Sequence, residues 1–283
     1  HRTSLQKTDF SPFPHILPLE SDLIPYSASH SMPSQAALVL APHPDDEIFG
    51  CGGAIASHVL ARVPVHVVIL TDGAMFGDAA VRRQECRAAA QILGYGEPTF
   101  WHLPDRGLTY SEALVLRIVK EIVNLDVDLV YAPSPWEFHP DHRQTTMLAM
   151  EAVRRTKHQV RLAFYEVGAP LRPNMLLDIT PFISIKEAAI RCFQSQLDQQ
   201  DYLRHIRALN QFRTYTLPRE VLAAEAYWML TPAKLDQATK AGLLTLVSTG
   251  VSPETEALPR TVPLVSIMTV SYTHLTLPTS DLV

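Results

Sequence analysis

From Ala37 onward, short apolar runs alternate with stretches of helical spacing, and this alternation constrains the fold more than any other feature of the chain. Residues 37–41 (ALVLA), 63–71 (VPVHVVILT), 99–103, 128–132 and 160–167 read as strands. Residues 49–61, 79–93, 111–123 and 141–155 read as helices, the second stopping at Gly94, a common residue at a helix C-terminus. Runs such as Leu38-Val39-Leu40 do not alternate with polar residues, as expected of a strand covered on both faces. The pattern predicts an α/β fold of right-handed βαβ units around a mostly parallel sheet. Helical spacing returns at 183–194, 202–212 and 234–244.

In such sheets ligands bind beyond the carboxyl ends of the strands. Two clusters fall at such ends. Pro42-His43-Pro44-Asp45-Asp46-Glu47 follows Leu38-Val39-Leu40, and His139-Pro140-Asp141-His142 follows Leu129-Val130-Tyr131. Imidazole and carboxylate make up the ligand set of a catalytic zinc, which takes three protein ligands and leaves one position open. The spare acidic and imidazole groups beside them suit proton transfer, so the expected chemistry is hydrolysis. His66, His102, His158 and His205 stand outside the clusters and read as satisfied polar residues.

Composition narrows the class. Hydrophobic content of 47% and charged content of 19% over 283 residues are globular values, with ample material for a core. A net charge of -5 gives no basis for an electrostatic grip on nucleic acid. Cys51, Cys86 and Cys192 are odd in number and widely spaced, which favours a reducing compartment; the expected setting is cytoplasmic and bacterial. No apolar run is long enough to span a membrane.

The order PHPDDE, Thr71-Asp72-Gly73, Arg82-x-x-Glu85 before Leu93-Gly94, then HPDH, resembles the PIG-L/LmbE-like family of zinc-dependent N-acetylglucosamine deacetylases. Ser195-Gln196 and Ala224-Glu225-Ala226 fit its C-terminal half, so the likeness covers roughly residues 36–230. The resemblance implies a Rossmann-like three-layer sandwich. It implies His43, Asp46 and His142 as ligands of Zn²⁺, or of another divalent metal such as Fe²⁺. Asp45 would be the general base, and His139 the acid or oxyanion-stabilising group, with Asp141 orienting the His139 ring and raising its pKa. Arg82 and Asp105 match sugar-contacting positions, Asp72 supports the same pocket, and Trp136 offers a sugar-stacking surface. Some members carry a mobile tyrosine two residues before HPDH; here that residue is Glu137. Arg82-x-x-Glu85 reads equally well as a one-turn ion pair, and Asp105 as a turn former.

The expected domain layout is an irregular arm over 1–35, a deacetylase domain over 36–231, a helical segment and linker over 232–262, and a remainder over 263–283. Residues 263–270 resemble the opening strand of a family-two glycosyltransferase, a possible fused partner domain, and 271–283 resemble a translated sequencing adapter. The implied substrate is a small-molecule, glycoside or lipid-linked amino sugar; oligomeric state has no signature in the sequence. Two other functions fit the same residues. One is a non-catalytic sugar-binding module serving a glycosyltransferase, for which Asp45 would be superfluous. The other is an amidase on a non-sugar amide.

Overall fold

The structure, a computed structural model, describes residues 20–156 and 159–240. Residues 1–19 of the expected arm, 241–262 of the expected linker and the expected remainder over 263–283 lie outside the described residues. A one-turn helix α1 (Glu20–Leu23) opens the described chain, followed by β1 (Ala37–Ala41), α2 (Asp46–Leu60), β2 (Val65–Thr71), α3 (Ala79–Leu93) and β3 (Thr99–Leu103). Next come α4 (Glu112–Asn124), β4 (Leu129–Pro133), α5 (Pro140–Arg155), β5 (Arg161–Tyr165), β6 (Met175–Asp178) and α6 (Ile183–Ile190). α7 (Gln194–Leu197), α8 (Tyr202–Phe212), β7 (Ala224–Leu230) and α9 (Pro232–Lys240) complete it.

One sheet has the order β3-β2-β1-β4-β5-β7-β6. The pairs from β3 through β5 are parallel, whereas β7 runs antiparallel between β5 and β6. The sheet is thus mostly parallel, and the strand order reverses direction between β1 and β4. Alternate residues of each inner strand feed two cores. Val39 and Tyr131 pack on the side of α2, α3 and α6, while Leu38 and Val130 pack on the side of α4 and α5. Contact with that first layer is close, because a Cβ on Gly50 would overlap the Tyr165 ring.

Three elements depart from the sequence expectation. β6 and β7 were not anticipated: β7 reads Ala-Glu-Ala-Tyr-Trp-Met-Leu, and its buried Glu225 breaks the apolar signature of a central strand. The helix expected over 183–194 ends at Ile190, and a separate turn of helix begins at Gln194. The described part of the arm is held down. Ser29 N–H donates to Leu176 O (2.7 Å) and Asp178 N–H to Ser29 O (2.8 Å), while Asp128 accepts from Ser34 Oγ (2.6 Å) and Gln35 N–H (2.9 Å).

His58 is buried beneath the sheet with Nε2 2.8 Å from Tyr131 Oη. Burial pushes its pKa down to about 4, against a partial opposing pull from Asp128. A base depressed in the folded state contributes full stability above its unfolded pKa of ~6.5, and loses it as pH falls toward the folded value. Wild type minus His58→Gln should therefore lose about 3 kcal/mol of unfolding free energy between pH ~6.5 and ~4, measured by urea melts across that range. A difference that does not change with pH would refute the assignment.

Candidate active site

The turn from β1 to α2 presents the first cluster. Asp45 sits before the helix with φ 133° and ψ -31°, a backbone conformation rare outside glycine and a marker of functional strain. Its side chain makes no cap bond to the helix. Arg82 Nη2 donates to Asp45 Oδ2 at 2.7 Å instead, and Glu47 Oε2 accepts the Asp45 N–H at 3.0 Å. Glu47 is fully buried, and burial pushes its pKa to about 8. It is a site residue the sequence reading left without a role, although it stands inside the first motif.

The second cluster opens α5. His139 is the N-cap, its Nδ1 accepting the Asp141 N–H at 3.2 Å, and Pro140 occupies the first turn, where a missing N–H has no consequence. If Nδ1 accepts, the neutral ring carries its proton on Nε2. The Asp141 carboxylate does not orient this ring. It lies 3.2 Å from His43 Nε2 and accepts the N–H groups of Arg106 (2.7 Å) and Leu108 (3.2 Å). Burial, then the neighbouring His43 and His142, lower the His139 pKa, and the charge of Asp141 offsets this only in part. The expected rise is therefore corrected to a fall.

β1 and β4 pair in parallel, so the two clusters meet. Asp46 Oδ2 lies 3.1 Å from His43 Nδ1 and 3.2 Å from His142 Nε2. Ligands ~2.0–2.1 Å from a tetrahedral ion stand about 3.4 Å apart, so the separations of Asp46 from each ring suit a shared divalent metal, although the two groups whose ligating atoms all lie within 4.8 Å of one another among the described residues do not include Asp46. Ligating atoms of His43, His139 and His142 also lie within 4.8 Å of one another, as do those of His43, Asp105 and Asp141 on the other side of the His43 ring. Burial opposes charge on His43, but Asp105, Asp141 and Asp46 outweigh it and raise its pKa well above the imidazole value. For His142 burial is likewise outweighed, chiefly by Asp46, to about 9. Burial opposes ionisation of Asp46 too, yet His142 and His43 hold it well below the carboxylate range. The shifts of His43 and His142 show that these carboxylates favour a cation at the ring nitrogens, and a metal bound there would compete with protons for them. Burial pushes Asp45 up to about 7, against Arg82.

These groups, Asp141 excepted, line a cavity of about 280 Å³ together with Phe49, Arg106, Glu137, Phe138, Val167, Gly168, Gln196 and Tyr202. Of the expected sugar contacts, Arg82 and Asp105 line it, but both are engaged with protein. Arg82 donates to Gly73 O (2.9 Å) and Pro44 O (2.6 Å) besides Asp45, and Asp105 contacts His43 Nε2 (3.3 Å) and accepts the Met75 N–H (3.1 Å). Arg82 and Glu85 form no one-turn pair; Glu85 accepts the N–H and hydroxyl of Ser195 (2.8 and 2.6 Å). Asp72 and Trp136 fall outside the lining. Asp72 accepts the Ala74 N–H within its own turn (3.1 Å), and Trp136 packs on Trp228 with ring centroids 5.1 Å apart. The aromatic at the rim is Phe138, 73% exposed.

Comparison with known proteins identifies the family. Residues 38–153, from β1 to near the end of α5, match the PIG-L family, described as GlcNAc-PI de-N-acetylase. Diacetylchitobiose deacetylase of Thermococcus kodakarensis is 30% identical over 203 residues, 60% of this chain and 75% of that protein. The 4-oxalmesaconate hydratase of Pseudomonas putida is 28% identical over 207 residues, 62% of this chain and 79% of its own. Among solved structures, N,N'-diacetylchitobiose deacetylase from Pyrococcus horikoshii superposes with a TM-score of 0.64 at 28% identity, covering 71% of this chain and 85% of that one. The chain belongs to the PIG-L family and is an enzyme of its hydrolytic N-deacetylase class. Among the described residues, no helix is long and apolar enough to cross a membrane.

Substitution distinguishes the expected ligands from Asp72 and Trp136, which lie outside the cavity lining. His43→Ala, Asp46→Ala and His142→Ala should each lose tight metal, measured by elemental analysis after dialysis, whereas Asp72→Asn and Trp136→Phe should retain it with unchanged KM. Metal retained at wild-type level in His142→Ala would shift the site to the His43, Asp105 and Asp141 group.

Proposed function

We propose that the enzyme removes the acetyl group from an N-acetylated amino sugar, an N-acetylglucosaminyl conjugate or glycan precursor, with zinc held by His43, Asp46 and His142. The observation that carries this reading is Asp45: a buried carboxylate with no capping role, held by Arg82 beside the three candidate ligands. A sugar-binding module would have no use for it. The metal supplies Lewis-acid polarisation of the amide carbonyl and acidifies a water.

The chain's own groups account for the remaining proton traffic. Asp45 takes a proton from the attacking water as its oxygen bonds to the amide carbon. When the C–N bond breaks, the same carboxyl returns that proton to the amine nitrogen, leaving acetate and a free amino sugar. A pKa pushed up to about 7 suits a group that must both accept and donate. His139, with its proton on Nε2, donates to the carbonyl oxygen as negative charge develops there, a role that a neutral imidazole performs. Arg82 orients Asp45. Phe138 takes the stacking role expected of Trp136, because it lines the cavity and is exposed there, whereas Trp136 packs on Trp228.

Acetate release from a panel of N-acetylglucosaminyl conjugates, with chelator and with added Zn²⁺, tests this reading. Asp45→Asn should keep its metal and lose roughly 10²–10⁴ in kcat. If zinc-loaded protein releases no acetate from any conjugate, deacetylation is excluded and the addition of water to an unsaturated acid, the chemistry named for the Pseudomonas relative, becomes the reaction to assay. Phe138→Ala should raise KM about tenfold, the scale of one aromatic contact, with kcat little changed. An unaltered KM would remove the stacking role.

A further inference from the structure

Glu137 is buried in the cavity wall and has no part in the proton transfers above. Its Oε1 accepts three successive N–H groups just beyond β5, from Val167 (2.8 Å), Gly168 (3.1 Å) and Ala169 (3.2 Å), which fix the carboxylate in place. Its Oε2 also accepts from Gly168 (3.2 Å) and stands 3.4 Å from His142 Nδ1. That nitrogen is buried and makes no hydrogen bond in the present side-chain orientation. On the opposite edge of the ring, Nε2 faces Asp46. His142 thus lies between two carboxylates, one on the metal side and one anchored to the β5 loop.

We propose that Glu137 is the positioning residue for His142: it holds the ring with its proton on Nδ1 and so presents Nε2 to the metal. The proposal rests on the ligand set put forward above. An imidazole that coordinates through Nε2 must carry its proton on Nδ1, and a buried N–H requires an acceptor. Glu137 Oε2, 3.4 Å away, is the acceptor in place, and a small reorientation of the ring or carboxylate forms the bond. A carboxylate behind a ligating histidine both fixes the ring and strengthens its donor nitrogen, and losing such a partner typically weakens metal binding 10–100-fold. Because the same carboxylate ties down residues 167–169, ligand orientation and the Gly168 wall of the cavity are set by one side chain.

Glu137→Gln separates positioning from a structural role. Its carbonyl oxygen can still accept from the residue 167–169 amides, while its NH₂ group cannot accept from His142 Nδ1. The Zn²⁺ Kd, measured on metal-free protein by competition with a chromophoric chelator, should weaken 10–100-fold while the melting temperature of the metal-free protein holds. Glu137→Ala should lose both. Wild-type Zn²⁺ affinity in Glu137→Gln overturns the proposal. Should that variant fail to fold, ¹⁵N spectra of the zinc-loaded wild type decide the matter: a His142 ring protonated on Nδ1 supports the role, and one protonated on Nε2 refutes it. A protein that behaves as expected here yet releases no acetate would sink the deacetylase reading and leave this one standing.

Discussion

Parallel pairing of β1 with β4 brings two segments about a hundred residues apart in sequence to one place. The register Ala37↔Leu129 to Val39↔Tyr131 puts their carboxyl ends at the same level, so the turns that follow leave the sheet side by side. The connection from β1 goes to β2 on one side and that from β4 to β5 on the other, which opens a crevice between them. Cores on both faces hold these strands, and the turns inherit their rigidity.

Within that crevice the dominant physical fact is a surplus of buried carboxylates. Asp45, Asp46, Glu47, Glu137 and Asp141 are all buried, with the Arg82 guanidinium and the rings of His43 and His142 among them. Buried charge persists only when it is paired or coordinates a metal. The arrangement is therefore predisposed to a cation, and the raised pKa values of His43 and His142 are the same fact expressed through protons. Asp45 differs from its neighbours: its strained backbone aims the carboxylate away from the helix cap and toward the cavity.

The C-terminal half supports the site from behind. Glu225 on β7 accepts the Gly53 and Ala54 N–H groups (2.6 and 2.9 Å), the Tyr227 hydroxyl (2.6 Å) and the Lys186 ammonium (2.7 Å). This fully hydrogen-bonded buried pair clamps α2, whose first turn carries Asp46, to β7 and α6. Breaking one member of such a pair typically costs about 3–5 kcal/mol, which gives the Ala224-Glu225-Ala226 segment a structural reason beyond strand formation.

What the sequence determined by itself was local. Apolar runs marked the five parallel strands, helical spacing and Gly94 marked the helices between them, and the two clusters showed where chemistry would lie, because periodicity and strand ends are properties of a few adjacent residues. Only the tertiary structure decided which groups touch. Asp141, two residues from His139, could have reached that ring, but its carboxylate turns to His43 and the Arg106 and Leu108 amides. Arg82 pairs with Asp45, 37 positions away, and not with Glu85, one turn along its helix. Trp136 turns into the core and Phe138 to the rim, although both lie in one short loop. The antiparallel β7 stayed hidden because its buried Glu225 is satisfied by α2 and Lys186, partners that no local pattern contains. Spacing along the chain limits which contacts are possible; among several polar groups within reach, burial selects the pairing that leaves the fewest unsatisfied, and that selection is made by the whole fold.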